Sequence, residues 1–137
     1  MRLTLLLLLI VAWGLPSTVA SAAELYMFRR AGCPWCAAWD REIGPAYDKT
    51  EIGWRTPVRM VDIYGEQPPI ALKGRIIYTP TFVLVEKGRE VGRIEGYPGN
   101  EFFWGLLEGL LQQLSPGDAS NLSALITANA TVSISRN

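Results

Sequence analysis

The sequence predicts an α/β fold in which helices flank a central mixed β-sheet. Two observations favour this fold: several short runs have the alternation or β-branched content of strands, and two other segments place apolar residues at helical spacing. Their order is strand, helix, strand, connector, hairpin and helix. The chain has 137 residues, of which 49% are hydrophobic and 19% charged, so it has the size and composition of one globular domain.

The first half of the predicted domain contains two strands and a helix. Glu24–Phe28 is predicted to be a strand and Arg29–Gly32 a loop. A helix begins at Pro34, whose missing N–H costs nothing in a first turn. Gly44-Pro45 is expected to end or kink this helix, and Pro57–Gly65 to form the second strand. The helix is supported by apolar residues at helical spacing: Trp39, Ile43 and Tyr47.

The second half begins with a Pro-rich connector, Glu66–Arg75, and continues with a hairpin and a helix. The strands Thr81–Glu86 and Glu90–Glu95 flank a turn at Lys87-Gly88-Arg89. Asn100–Leu114 is predicted to be an amphipathic helix with Asn100 as its N-cap. Six positions are assigned to its core face: Phe103, Leu106, Leu107, Leu110, Leu111 and Leu114.

The two ends of the chain differ from the domain, which we place at residues 24–114. Arg2, a long apolar run and a small-residue stretch indicate a cleavable signal peptide over residues 1–23. The alternative is an uncleaved membrane anchor, because the segment from Leu3 to Ala23 carries no charge. Residues 115–137 are rich in Ser, Ala, Thr and Asn and are predicted to be a flexible tail.

Charge and composition exclude several classes of function. The 13 basic and 13 acidic residues give a formal charge of zero, which argues against nucleic-acid binding. The absence of histidine removes His-based metal sites, Cys-His pairs and Ser-His-Asp triads. No flavin or nicotinamide motif is present. We therefore predict no metal and no cofactor. The protein is also expected to be a monomer.

The two cysteines, Cys33 and Cys36, fit a structural disulfide, a metal clip or a redox centre. A disulfide that closes so short a loop stabilises little, and two thiolates supply half of a typical ligand set. Cys33 lies at a predicted helix start and follows Arg29 and Arg30, so unpaired N–H groups and positive charge favour its thiolate over its thiol. Cys36 lies one helical turn further on, within reach of Cys33. The redox interpretation is therefore preferred, with a copper(I) carrier as the alternative, because soft thiolates suit that ion.

The motif Cys33-Pro34-Trp35-Cys36, together with Thr79-Pro80-Thr81 at a strand start, resembles the thioredoxin superfamily over residues 24–114. The resemblance implies a thioredoxin-like fold with a cis-Pro loop, in which Pro80 faces the cysteines. It implies that Thr79 offers its backbone to an extended substrate peptide. The implied catalytic residues are Cys33 and Cys36, and the implied substrate-binding residues are Pro34, Trp35, Thr79 and Pro80.

Two departures from thioredoxins proper are visible. Pro34-Trp35 stands where they carry Gly-Pro, and Met27 stands where they place a buried acid. The chain is more similar to exported thioredoxin-like proteins of bacteria, and the stretch GYPGNEFFWGLL, residues 96–107, is similar to small proteins associated with sulfur-oxidation operons.

The resemblance implies a periplasmic thiol–disulfide oxidoreductase that reduces disulfides of exported client proteins. Its electrons would come from a membrane thiol-transporting donor. Oxidants of the superfamily commonly place a histidine between the cysteines, so Trp35 favours a reductant. The alternative within the same fold is a disulfide-donating oxidant. If the leading segment is not cleaved, the protein is expected to be anchored in the membrane and to face the periplasm.

Overall fold

A computed structural model describes residues 23–114 of the chain. The predicted signal peptide, except Ala23, and the predicted tail lie outside the described residues. Within residues 23–114, no helix is long and apolar enough to cross a membrane. The elements are, in order, β1 (Glu24–Arg29), α1 (Pro34–Glu42), α2 (Gly44–Tyr47), α3 (Glu51–Arg55), β2 (Val58–Asp62), β3 (Thr81–Glu86), β4 (Arg89–Glu95) and α4 (Asn100–Leu111).

The four strands form one mixed sheet in the order β2-β1-β3-β4. β1 pairs in parallel with β2 and antiparallel with β3, and β3 pairs antiparallel with β4. The two central strands are largely buried, because helices cover one face and a connector covers the other. The predicted fold class, a mixed sheet flanked by helices, is confirmed.

The main core lies between the sheet and helices α1 and α4, and Trp39 is at its centre. The ring of Trp39 is 1% exposed and lies 5.9 Å from Tyr47, 5.7 Å from Phe82 and 6.0 Å from Phe103, centroid to centroid. Cys33 and Cys36 belong to the same buried cluster. The cysteine pair is therefore anchored directly on the core that stabilises the fold.

The opposite face of the sheet is covered by residues 63–80, the whole segment between β2 and β3. We call these residues the connector from here on; they include the Pro-rich stretch Glu66–Arg75 predicted above. The connector contains no helix. Its apolar side chains Ile70, Leu72 and Ile76 pack against a second cluster formed by Phe28, Val61, Val83 and Val85. Ala71 also forms a parallel bridge with Arg89, so the connector runs beside strand β4 before it returns to the cysteines.

Several predicted boundaries differ from the structure for local reasons. The second strand ends at Asp62 instead of Gly65, because Asp62 begins a turn in which its carbonyl accepts from the Gly65 N–H at 3.0 Å. The hairpin turn has two residues, Lys87 and Gly88, with φ angles of 52° and 75°. This pair of positive values is typical of a two-residue hairpin turn, and strand β4 therefore begins at Arg89.

The prediction that Asn100 caps the last helix is wrong. The N-cap is Gly99, with φ 100°, and Asn100 is the first helical residue. The Asn100 side chain instead accepts a hydrogen bond from Trp104 Nε1 at 3.0 Å, which is a partner one turn along the same helix. Helix α4 also ends at Leu111 instead of Leu114, although Leu114 remains buried.

The assignment of Leu106 to the core face is wrong as well, because its side chain is 49% exposed. At 3.6 residues per turn, Leu106 lies roughly 80° from the centre of the stripe formed by the other five positions. It therefore stands at the margin of the stripe, whereas Phe103, Leu107 and Leu110 face the core.

The short helix α3 was not predicted, and its tight packing gives a test. A Cβ at Gly53 would overlap the backbone carbonyl oxygen of Tyr47. We expect Gly53→Ala to lower the free energy of unfolding by about 3 kcal/mol, measured by urea denaturation. Gly105 is the control, because it lies on the exposed face of helix α4 and a Cβ there would meet nothing within 4 Å. Gly105→Ala should raise stability by about 0.5–1 kcal/mol. Equal stability of Gly53→Ala and wild type would contradict the described packing of α3.

Candidate active site

The cysteine pair lies at the start of helix α1, where a disulfide joins Cys33 to Cys36. Cys33 is the N-cap residue, with extended backbone, and Pro34 is the first helical residue, so the predicted helix start is confirmed. The backbone N–H of Cys36 donates to Cys33 Sγ at 3.1 Å. An N–H at a helix start is unpaired within the helix, and here it favours negative charge on the Cys33 sulfur.

The two cysteines differ in their access to solvent. Cys33 is 6% exposed and Cys36 is 1% exposed. An attacking thiolate needs access to its substrate, whereas a resolving thiol needs access only to the first sulfur. This difference suits Cys33 for attack and Cys36 for release of a mixed disulfide.

Thr79 lies against Cys33, and the peptide bond that joins Thr79 to Pro80 is cis. The Thr79 carbonyl oxygen is 3.4 Å from Cys33 Sγ. Two hydrogen bonds hold this turn: Thr81 Oγ1 donates to the Tyr78 carbonyl at 2.8 Å, and Gly96 N–H donates to the Pro80 carbonyl at 2.7 Å. In the reduced protein the carbonyl is placed to accept from the Cys33 thiol, which favours the neutral form over the thiolate.

The two arginines before the pair do not act alike. Arg29 donates from Nη1 and Nη2 to the two carboxylate oxygens of Asp40, at 2.9 and 2.7 Å, and this hydrogen bonding raises the pKa of Arg29. The Asp40 carboxylate therefore offsets much of the Arg29 charge near Cys33. Arg30 is exposed. The sequence-based expectation that both arginines favour the Cys33 thiolate thus applies less to Arg29.

Three large, exposed apolar side chains are close in the chain to the cysteines or to Thr79. Trp35 is 61% exposed and lies between the two cysteines in the sequence. Ile77 and Tyr78 are 72% and 60% exposed and immediately precede Thr79. Sequence reasoning did not select these two residues, although they are large apolar side chains between the predicted connector and Thr79. We call Trp35, Ile77 and Tyr78 the apolar rim.

A hydrogen bond joins the far end of α1 to the loop after β4. Tyr97 Oη donates to Glu42 Oε2 at 2.7 Å, and the Tyr97 ring lies 5.9 Å from that of Phe103. Burial raises the pKa of Tyr97, and the bond to Glu42 raises it further. In the structure, this partly buried hydrogen bond holds the loop whose Gly96 N–H donates to the Pro80 carbonyl.

Beside Cys33, on the side of the loop between β1 and α1, lies an open cavity of about 660 Å³. Arg30, Pro34 and Met60 are among its lining residues. Met27, at the position of the thioredoxin acid, is fully buried in β1. Among residues 23–114 there is no group of three or more His, Cys, Asp or Glu side chains that could hold a metal ion.

The chain was compared with family models, curated proteins and solved structures. No family model matches the chain, and no curated protein matches it significantly. Among solved structures, the chain is similar to the periplasmic thioredoxin SoxS from Paracoccus pantotrophus, in its reduced form. The two chains are 43% identical with a TM-score of 0.65, and the match covers 66% of this chain and 97% of that chain.

The match agrees with the geometry described above, which is a mixed sheet, a Cys-x-x-Cys pair at a helix start and the Thr79-Pro80 turn beside Cys33. A chain this similar over nearly the whole length of a thioredoxin has its fold and its type of redox centre. The protein therefore belongs to the thioredoxin superfamily and is a thiol–disulfide oxidoreductase.

Proposed function

We propose that the protein is a periplasmic protein-disulfide reductase. The Cys33 thiolate attacks one sulfur of a client disulfide, forming a mixed disulfide and releasing the other client sulfur as a thiolate that takes up a proton. Cys36 then loses its proton and attacks Cys33, which frees the second client thiol. The client gains two electrons and two protons, and the protein is left with its Cys33–Cys36 disulfide.

The observation that carries this proposal is the arrangement around Cys33. Its sulfur sits at a helix start with the Cys36 N–H on one side and the Thr79 carbonyl on the other, at 3.1 and 3.4 Å. Cys36 lies behind it in the core. This arrangement gives one reactive sulfur a partial opening to the surface and one protected sulfur that completes the exchange.

We propose that the client binds as an extended segment across Thr79 and Pro80, with Pro34 and Trp35 on the other side of the reacting sulfurs. The apolar rim supports this assignment, because exposed aromatic and aliphatic side chains gain most when a client covers them. The clients are exported proteins with disulfides, and the rim accepts apolar residues next to them.

Three features of the site disfavour the Cys33 thiolate, and they support the proposal that the protein acts as a reductant. The Thr79 carbonyl favours the neutral thiol, Asp40 offsets the charge of Arg29, and the residue between the cysteines is Trp35 instead of a histidine. A less stabilised thiolate makes the reduced pair easier to oxidise, which is the property of a reductant.

Location and electron supply follow from the same proposal. The similar solved structure is that of a periplasmic protein, and the leading segment has the pattern of a signal peptide. In that compartment, thiols are kept oxidised, so a reductase must be recharged. We propose that a membrane thiol-transporting protein reduces the Cys33–Cys36 disulfide after each turnover.

The test is the reduction potential of the Cys33–Cys36 couple in the mature protein, equilibrated against dithiothreitol and glutathione buffers. We expect a value near ~−270 mV, as in thioredoxin, and a value near ~−120 mV would show a disulfide donor instead. The control variant is Trp35→His at the exposed middle position. It should raise the potential, because a histidine cation beside Cys33 stabilises the thiolate. An unchanged potential in Trp35→His would contradict our explanation of the direction.

A further inference from the structure

Strand β4 carries a buried charge far from the cysteines along the chain. Among residues 23–114, Glu90 is the only charged residue in the buried class, and its side chain is 1% exposed. A buried carboxylate is costly unless it is paired and hydrogen-bonded. Arg93 meets this need with Nε and Nη2, each 2.7 Å from a Glu90 oxygen, and the Lys73 backbone N–H donates to Glu90 Oε2 at 2.7 Å.

Arg93 also binds the connector directly. Its Nη2 donates to the Gly74 carbonyl at 3.0 Å, and its Nη1 donates to the Arg75 carbonyl at 3.2 Å. A planar guanidinium supplies several donors in a fixed fork, so one side chain holds a carboxylate and two carbonyls at once. We call Glu90, Arg93 and the three backbone groups at 73–75 the connector clasp.

The connector clasp lies a few residues before the active site. After Arg75, Ile76 packs against the sheet, Ile77 and Tyr78 form part of the apolar rim, and the Thr79 carbonyl reaches Cys33. No helix stabilises the connector internally. Its position therefore depends on apolar packing and on its hydrogen bonds to the sheet edge, which include the connector clasp and a bond from Lys73 Nζ to the Val91 carbonyl.

We propose that Glu90 and Arg93 are positioning residues for the redox reaction: they fix the connector on strand β4 and so hold Tyr78, Thr79 and Pro80 against Cys33. This inference rests on the proposed function, because it assigns to the clasp the placement of the client-binding backbone. Neither side chain touches the cysteines, and both act through the connector.

The expected effect is on substrate binding more than on turnover. A loosened connector presents the Thr79 backbone and the rim in many arrangements, and a client then loses free energy in ordering them. It also moves the Thr79 carbonyl away from Cys33. Since that carbonyl favours the neutral thiol, its departure increases the thiolate fraction of Cys33 at pH 7.

The experiment compares Glu90→Gln and Arg93→Lys with wild type. Glu90→Gln removes the buried negative charge at nearly constant side-chain shape. Arg93→Lys keeps the positive charge but lacks the planar set of guanidinium donors that bonds Glu90 and the two carbonyls. The matched control is Arg59→Gln, because Arg59 forms an ion pair with Glu24 at the opposite sheet edge, at 2.8 Å, and does not contact the connector clasp. All proteins are assayed at a temperature where circular dichroism shows them to be folded.

Two readouts are measured: KM and kcat for reduction of fluorescently labelled insulin with dithiothreitol as electron source, and the rate of Cys33 alkylation by iodoacetamide in the reduced protein. In both clasp variants we expect KM to rise about fivefold while kcat stays within about twofold. We expect alkylation at pH 7 to accelerate about threefold. Arg59→Gln should match wild type in every value.

The outcomes separate this inference from the proposed function. Folded clasp variants with wild-type KM and wild-type alkylation rates would overturn the positioning role, and so would equal changes in Arg59→Gln. A wild-type protein that fails to reduce insulin would count against the reductase proposal alone. In that case the alkylation rates still decide whether the clasp holds Thr79 against Cys33.

Discussion

Replacing Cys33 with serine is expected to abolish insulin reduction. Replacing Cys36 with serine is expected to stop the reaction at the mixed disulfide between Cys33 and insulin. A serine hydroxyl stays protonated and does not attack a disulfide sulfur, so Cys33→Ser should lose activity on the order of 10³-fold or more. Cys36→Ser retains the partly exposed Cys33 but lacks the buried sulfur that releases the client. Non-reducing gels should therefore show a stable insulin adduct with Cys36→Ser and none with Cys33→Ser.

The double variant Cys33→Ser/Cys36→Ser is the control for non-specific association, and it should form no adduct. Circular dichroism should show that all three variants keep the fold, because serine is close to cysteine in size. The reverse pattern, with adducts accumulating on Cys36 in Cys33→Ser, would assign the attacking role to the buried cysteine. It would then contradict the order of events proposed here.

The second large effect is expected at Trp39. Its ring is 1% exposed and contacts three other rings of the main core. Trp39→Ala removes this packing and leaves a cavity, so the free energy of unfolding should fall by about 3–5 kcal/mol, measured by urea denaturation. For a domain whose total stability is about 5–15 kcal/mol, this loss is a large fraction.

Trp54 gives a control with the same chemical change at the surface, because its side chain is 79% exposed. Trp54→Ala should alter stability by no more than about 0.5 kcal/mol. Similar losses in the two variants would contradict the described core. A small loss in Trp39→Ala alone would show that the aromatic cluster does not support helix α1.

The sequence alone predicted the features that depend on near neighbours. The start of helix α1 at Pro34, the break at Gly44 and the strand Thr81–Glu86 each follow from a few adjacent residues. The candidate cysteines were found in the same way, because their spacing and their place before a helix are local properties.

Features that depend on distant partners were missed. Asp40 pairs with Arg29 across 11 positions, and Arg93 reaches carbonyls 18 and 19 positions earlier. Such pairings arise only when the sheet brings the segments together. Asn100 shows the same limit at short range, because its side chain bonds to Trp104 instead of capping the helix. Side-chain partner choice is decided by packing, which a linear pattern does not record.

The membership of Cys33 and Cys36 in the main core links electron affinity to folding. Folding and reduction form a closed thermodynamic cycle, so any preference of the folded chain for the disulfide over the dithiol appears both as a more negative potential and as extra resistance of the oxidised form to unfolding. For a two-electron couple, about 30 mV corresponds to about 1.4 kcal/mol. For the reductant proposed here, we therefore expect the oxidised form, which remains after the electrons have passed to a client, to resist unfolding more than the reduced form does.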